Sequence, residues 1–163
     1  MYKTGLSNNE YIEYLVEKYA DTVYRLAVSR TRDRDSSEDV FQEVFLRLSK
    51  NIPDFQSEEH EKAWIIRVTI NCSKNLLNSK WNRCVDTLEE ELKEEQIEMQ
   101  EIYYDVLRLP QKYRTVIHLF YYENLSIKEI SKILSTKETT VKTWLSRGRK
   151  KLKDILEGGI DDE

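Results

Sequence analysis

Backbone breakers are scarce in this sequence. Its 163 residues include four glycines and two prolines, too few for a turn-rich β architecture, and no alternating strand pattern or internal repeat is present. Long Glu-, Lys-, Leu- and Ile-rich stretches favour helix instead. Cysteine is almost as rare. Cys72 and Cys84 cannot staple a disulfide scaffold, and with only His60 and His118 beside them they lack the paired spacing of a zinc site. They read as reduced thiols in a cytoplasmic protein. No run of about 18 apolar residues occurs, so no membrane-inserted helix is expected. The start, MYKTGLSNNEYIEY, lacks the basic-then-apolar pattern of a signal peptide. A phosphate-binding glycine loop, a metal cluster and a nucleophile with a histidine partner are all missing. Nothing here supports an enzyme, a metal or a cofactor.

Charge is abundant but segregated. Hydrophobic residues make up 39% of the chain, charged residues 34%, and the net charge is -4. Residues 86 to 101, DTLEEELKEEQIEMQE, hold eight acids against Lys93. Residues 137 to 153 hold seven bases against Glu138. The acidic run separates two segments with apolar periodicity, and a like-charged block without aromatics usually serves as a linker or a solvated helix face. The expected organisation is therefore all-α. A helical module spans 6–83, an acidic connector 84–97, and a second helical module 98–156.

In the first module Ile12, Leu15, Val16, Tyr19, Val23, Leu26 and Ala27 recur at three- and four-residue intervals, one face of a long helix. Asp35 with Glu38, or Ser36 with Asp39, can cap a second helix, whose apolar face is Val40, Phe41, Val44, Phe45 and Leu48. Pro53 ends it, because the residue before proline is pushed out of the helical region. A third helix turns Trp64, Ile65, Val68, Cys72 and Leu76 inward. In the second module Ile102, Tyr103, Val106 and Leu107 precede a break at Leu109-Pro110. Val116, Ile117, Phe120 and Tyr121 mark the next helix. Ser126 caps a short one containing Ile127, Ile130 and Leu134, and a brief turn leads to a helix with Val141, Leu145, Gly148, Leu152 and Leu156 inward.

A short helix, a tight turn and a second helix with a basic outer face make a helix-turn-helix. Arg and Lys on such a face neutralise phosphates and release counterions, and Arg can also grip guanine through two hydrogen bonds. The plainer alternative is a solvated terminal helix whose lysines favour the carboxyl end of its own dipole.

Three segments together resemble the short extracytoplasmic-function (ECF) sigma factors of bacterial RNA polymerase, within the sigma-70 family. YADTVYRLAVSRTRDRDSSEDVFQEVFLRLSKN looks like the polymerase-binding part of the family's second conserved region. AWIIRVTINCSKNLLNSKWNR resembles its promoter-melting part. LPQKYRTVIHLFYYENLSIKEISKILSTKETTVKTWLSRGRKKL looks like the fourth conserved region. The resemblance implies Asp39, Gln42 and Glu43 as contacts to the polymerase clamp helices, with Leu46 and Arg47 beside them. It implies Asn71, Lys74, Asn75 and Asn78 toward unstacked bases of the downstream element, and Arg67, Lys80 and Arg83 toward phosphate. Lys142, Thr143, Ser146 and Arg147 are implied toward bases of the upstream element, with Arg149 and Lys150 toward phosphate.

The chain departs from the family pattern at several positions. Asn75 stands where aspartate is common and Asn78 where arginine is. Ser135 and Thr139 occupy turn positions often held by glycine, where a side-chain oxygen can cap instead. Trp144 fills a slot often small or basic. Trp64 shares the apolar stripe and reads as packing; Trp81 lies at the basic end of the third helix. In the family the acidic connector threads the channel that later carries RNA.

The implied function is that of a non-catalytic promoter-specificity subunit. It would bind core RNA polymerase, read the −35 element as duplex and the −10 element as melted strand, and serve a stress- or envelope-response regulon. The implied partners are core polymerase, promoter DNA and an anti-sigma factor tethered in the membrane. The alternative is a stand-alone helix-turn-helix regulator of duplex DNA, which explains residues 109 to 153 but leaves the first module without a task.

Overall fold

Serines open two of the three helices described in the first module. The computed structural model describes residues 5–77, 85–95 and 99–158, apart from the side chains of residues 75–77. Helix α1 runs Asn8–Thr31, α2 Arg34–Lys50 and α3 Glu58–Leu77. Ser7 opens α1, its Oγ accepting from the Glu10 N–H at 3.2 Å and its carbonyl from Tyr11 at 2.9 Å. Ser57 opens α3 in the same way, with its Oγ 3.0 Å from the His60 nitrogen. Side-chain oxygens here satisfy N–H groups that have no partner within the helix. The α2 start differs from expectation: it falls at Arg34, so Asp35 and Ser36 lie inside the helix rather than capping it. Arg32, in the left-handed region at φ 53, lets the chain turn early.

By contact the chain divides into two units, residues 1–31 with 35–80, and residues 32–34 with 81–163. The first is built on α1 packed against α3. Leu15, Val23, Val40, Val44, Leu48 and Ile65 are fully buried in its core, and Tyr11, Tyr19 and Phe55 close the edges. Each such aliphatic side chain stabilises the fold by about 1.5–3 kcal/mol. Phe41, Phe45 and Trp64 are only half-buried against this core. Trp64 meets Phe55 edge-on at 5.7 Å, the packing role its place on the apolar stripe suggests.

A carboxylate sits inside this unit. Glu61 on α3 is fully buried. It accepts hydrogen bonds from the Tyr11 hydroxyl at 2.5 Å, the Tyr19 hydroxyl at 2.7 Å and the Lys18 ammonium at 3.1 Å. Burial and the bond to Glu61 hold the Tyr19 hydroxyl well above its ordinary pKa, so it remains a donor. Burial would lower Lys18, but its bonds to Tyr14 and Glu61 outweigh that and raise it. The cluster ties α1 to α3.

The second unit contains α4 (Val85–Glu94), α5 (Glu101–Leu107), α6 (Gln111–Ile117), a π turn (His118–Tyr122), α7 (Ile127–Leu134) and α8 (Glu138–Leu156). Helix α4 changes the picture of the acidic connector expected at 84–97. Val85, Leu88 and Leu92 recur at three- and four-residue spacing and are buried. The helix contacts α5, helped by Arg108–Asp86 at 2.6 Å and Lys93–Glu101 at 3.6 Å. Counting charge alone hid this sparse stripe. The expected boundary at 83–84 lies outside the described residues.

Around α8 the second core gathers Leu107, Leu109, Val116, Leu119, Ile130, Val141 and Leu145, all buried. The Leu109-Pro110 break separates α5 from α6 as the sequence suggests. Downstream, the Glu123 N–H bonds the His118 carbonyl five residues back at 3.2 Å, which widens the helix by one residue. Tyr121, in this turn, faces outward and is 49% exposed, and Phe120 is half-buried. His118 is fully buried, with Nδ1 2.7 Å from the Tyr103 hydroxyl and Nε2 3.1 Å from the Glu123 carboxylate. Both ring nitrogens therefore have partners.

Candidate nucleic-acid and polymerase interfaces

Helix α7 begins with a reciprocal cap. The Ser126 Oγ accepts from the Glu129 N–H at 3.1 Å, and the Glu129 carboxylate accepts from the Ser126 N–H at 2.9 Å. It ends at Ser135, whose φ of 52 and ψ of 47 are left-handed; the Thr136 N–H then reaches the Ser131 carbonyl at 2.9 Å. Lys137 opens α8 without a side-chain cap. The turn thus holds, but by backbone conformation. Neither Ser135 nor Thr139 caps it: Thr139 is already helical, and its carbonyl accepts the Thr143 hydroxyl at 3.0 Å.

Burial of Val141, Leu145 and Gly148 fixes the rotation of α8. Space at Gly148 is tight. A Cβ there would lie 2.7 Å from Ile117 Cδ1 and 3.1 Å from Tyr113 Cβ, both on α6. With the core side set, Lys142, Thr143, Ser146, Arg147, Arg149 and Lys150 are all exposed. Thr143, Ser146, Arg147 and Lys150 share the outer face by their spacing, while Lys142 stands on one flank with Arg149. Arg149 and Lys150, expected to act together, diverge by about 100° as helix neighbours must. The Arg149 Nε donates to the Tyr121 hydroxyl at 2.6 Å, and its guanidinium lies 5.7 and 5.5 Å from the Phe120 and Tyr121 ring centres.

On α2, Asp39, Gln42, Glu43, Leu46 and Arg47 are exposed at spacings of three, one, three and one, a continuous stripe opposite Val40, Val44 and Leu48. Glu43 and Arg47 pair at 3.0 Å, and this bond raises the Arg47 pKa. Leu46 is 52% exposed within the stripe. On α3, Arg67, Asn71 and Lys74 are exposed along one face. Asn75 continues the helix, and Asn78, Lys80, Arg83 and Trp81 lie outside the described residues. Beneath this unit's surface Cys72 is buried, and burial pushes its thiol pKa up. Among the described residues no cluster of three His, Cys, Asp or Glu side chains is arranged to hold a metal ion, and no helix is long and apolar enough to cross a membrane.

Comparison with known proteins bears on these faces. Residues 15–83 match the family described as Sigma-70 region 2, and residues 100–152 match Sigma-70, region 4. The ECF RNA polymerase sigma factor SigW of Bacillus subtilis is 30% identical over 162 residues, an alignment spanning 87% of each chain. The chain belongs to the ECF sigma factors. SigM of the same organism is 28% identical over 167 residues, covering 93% of this chain and 99% of the relative. Two solved structures share the fold. One is CnrH in complex with the cytosolic domain of CnrY (TM-score 0.68, 21% identity, 91% and 89% covered). The other is RpoE with the anti-sigma factor NepR from Bartonella quintana (TM-score 0.68, 16% identity, 89% and 96% covered). As an ECF sigma factor the protein is a promoter-specificity subunit of RNA polymerase, all-α, with region 2 and region 4 modules.

Some features of this sigma factor escape its linear sequence. Leu152 and Leu156 were expected inward, yet Leu152 is half-buried and Leu156 is 52% exposed. With Ile102, Val106 and Tyr121 they line an open apolar groove of about 600 Å³, flanked by Arg149 and Lys153. The heptad-like stripe of α8 runs past the helices that cover it, and only the length of α5 and α6 reveals that. Tyr121, the partner of Arg149, was hidden by the π turn.

Proposed function

We propose that this sigma factor brings core RNA polymerase to promoters with two separate elements. Helix α8 reads the −35 element as duplex, and α3 reads the −10 element after the strands part. On α8, Thr143, Ser146 and Arg147 face base edges, Lys142 reaches toward them from one flank, and Lys150 meets phosphate; Arg149, held by Tyr121, reaches phosphate from that same flank. Arg67, Asn71, Lys74 and Asn75 on α3, together with Asn78, Lys80 and Arg83 further along the sequence, supply amides for unstacked bases and cations for the backbone. The α2 stripe of Asp39, Gln42, Glu43, Leu46 and Arg47 docks on the polymerase. The observation that carries this reading is the exposed polar and basic face of α8, opposite a tightly packed core side and after a capped helix and a three-residue turn.

An anti-sigma factor as partner, tethered in the membrane, belongs to the same proposal, as does a stress- or envelope-response regulon. Support for the anti-sigma partner, though not for the tether or the regulon, is that a sigma factor of this fold has been solved with an anti-sigma factor. Run-off transcription with reconstituted polymerase tests the core of it. Discrete start sites should require this chain, and Arg147→Ala should cost about 1–3 kcal/mol at one upstream base pair and relax preference there. Tight sequence-specific binding by the chain alone, indifferent to core polymerase, would instead make it a stand-alone regulator.

A further inference from the structure

Beside the recognition face lies a basic edge to which neither the family match nor the reading above gives a task. Lys112, exposed on α6, extends its ammonium to 5.2 Å from the Tyr113 ring centre and 6.0 Å from that of Trp144 on α8. Trp144 is half-buried and stands three residues before Arg147 and seven before Lys151. It therefore shares their side of the helix. Tyr113 is buried, and the close approach at Gly148 locks α6 against α8 just there. Lys112 is thus steered by two aromatic faces, on a rigid backbone, beside the amino-terminal half of α8.

Dimensions make that position informative. A helix with its side chains is about 10–12 Å across, close to the roughly 12 Å width of the major groove. When its amino-terminal half enters the groove, groups on its flank meet the phosphates that border it. A lysine there carries a full charge toward them, and the indole adds an N–H donor and a flat apolar wall.

We propose that Lys112, positioned by Trp144, is a further phosphate contact of this sigma factor, so that α6 as well as α8 holds the upstream duplex. The inference rests on α8 being the duplex-reading helix. The contact is indifferent to base sequence: it adds affinity and salt dependence, while Arg147 adds preference.

The test uses reconstituted holoenzyme with the full chain, and a duplex selected by the wild-type holoenzyme from a randomised pool. Binding is measured across a salt series. Lys112→Ala should weaken binding to selected and unselected duplexes alike, and reduce the slope of log affinity against log salt by about 0.9, the release from one phosphate. Lys112→Arg should restore the slope. Trp144→Ala should reproduce the loss and Trp144→Phe largely retain the contact. Because Lys112 is exposed, its replacement leaves the fold intact, which an unchanged melting temperature checks. If Lys112→Ala keeps the wild-type slope while Arg147→Ala weakens binding, this inference is overturned and the α8 reading stands. If neither variant changes binding, both fall.

Discussion

Replacing Glu61 by alanine should unfasten α3 from α1. The carboxylate is fully buried and holds two tyrosine hydroxyls at 2.5 and 2.7 Å as well as the Lys18 ammonium at 3.1 Å. A hydrogen bond to a charged group contributes about 1.5–3 kcal/mol net, and a buried hydroxyl left unpaired costs about 1–3 kcal/mol. Removing the carboxylate also relieves its own desolvation, so the expected loss is about 3–5 kcal/mol, the range for breaking a buried ionic cluster from one side. Glu61→Gln keeps an acceptor oxygen and an amide that can donate to the second hydroxyl, and should cost roughly half as much. Tyr11→Phe and Tyr19→Phe should each cost about 1–2 kcal/mol and couple to Glu61→Ala in a double-mutant cycle. The assay is denaturant unfolding with hydrogen exchange resolved on α1 and α3, because two modules need not unfold together. Since α3 carries Arg67, Asn71 and Lys74, strand opening should fail before duplex binding does. A Glu61→Ala protein within about 0.5 kcal/mol of wild type would refute the reasoning, since changes that small are typical of ordinary surface positions.

The same cluster sets an alkaline limit. Tyr19 and Lys18 both have raised pKa values in the fold, so above about pH 10, their unfolded range, the folded state binds more protons than the unfolded state and stability falls as pH rises. Thermal melts between neutral pH and about pH 11 should show the fall, and Glu61→Gln should lessen it while the burial of Tyr19 keeps part of it. Gly148→Val would press on Ile117 and Tyr113; overpacking of this kind costs about 1–3 kcal/mol, and duplex binding should weaken with the displaced α8. Ser135→Gly should raise the melting temperature slightly. It removes about 1–2 kcal/mol of left-handed strain and gives back roughly 0.5–1 kcal/mol in unfolded-state entropy. A lower melting temperature would contradict that assignment.

The helical fold and its two modules could be read from local chemistry. The start of α7 needs only Ser126 and Glu129, three residues apart, and the break after Leu107 needs only the Leu-Pro pair. The outer face of α8 follows from the burial of Val141, Leu145 and Gly148. What escaped the sequence depends on distant partners. Glu61 sits in EEHEK like any surface glutamate, and its burial is decided by tyrosines 50 and 42 residues away. At the π turn His118 is held by Tyr103 and Glu123, and Tyr121 lies at the surface where Arg149 meets it. In α4, acids outnumber Val85, Leu88 and Leu92, so charge masked a stripe just wide enough to pack.

Whatever α8 reads, the protein acts as proposed only if it joins the polymerase, and the exposed α2 stripe is the proposed contact. Purified chain and bacterial core RNA polymerase, mixed and separated by size, test it directly. The two should elute together in equal amounts, and Leu46→Glu, which leaves the buried side of α2 untouched, should release the chain at the same concentrations. Wild-type protein that elutes apart from the polymerase would contradict the account.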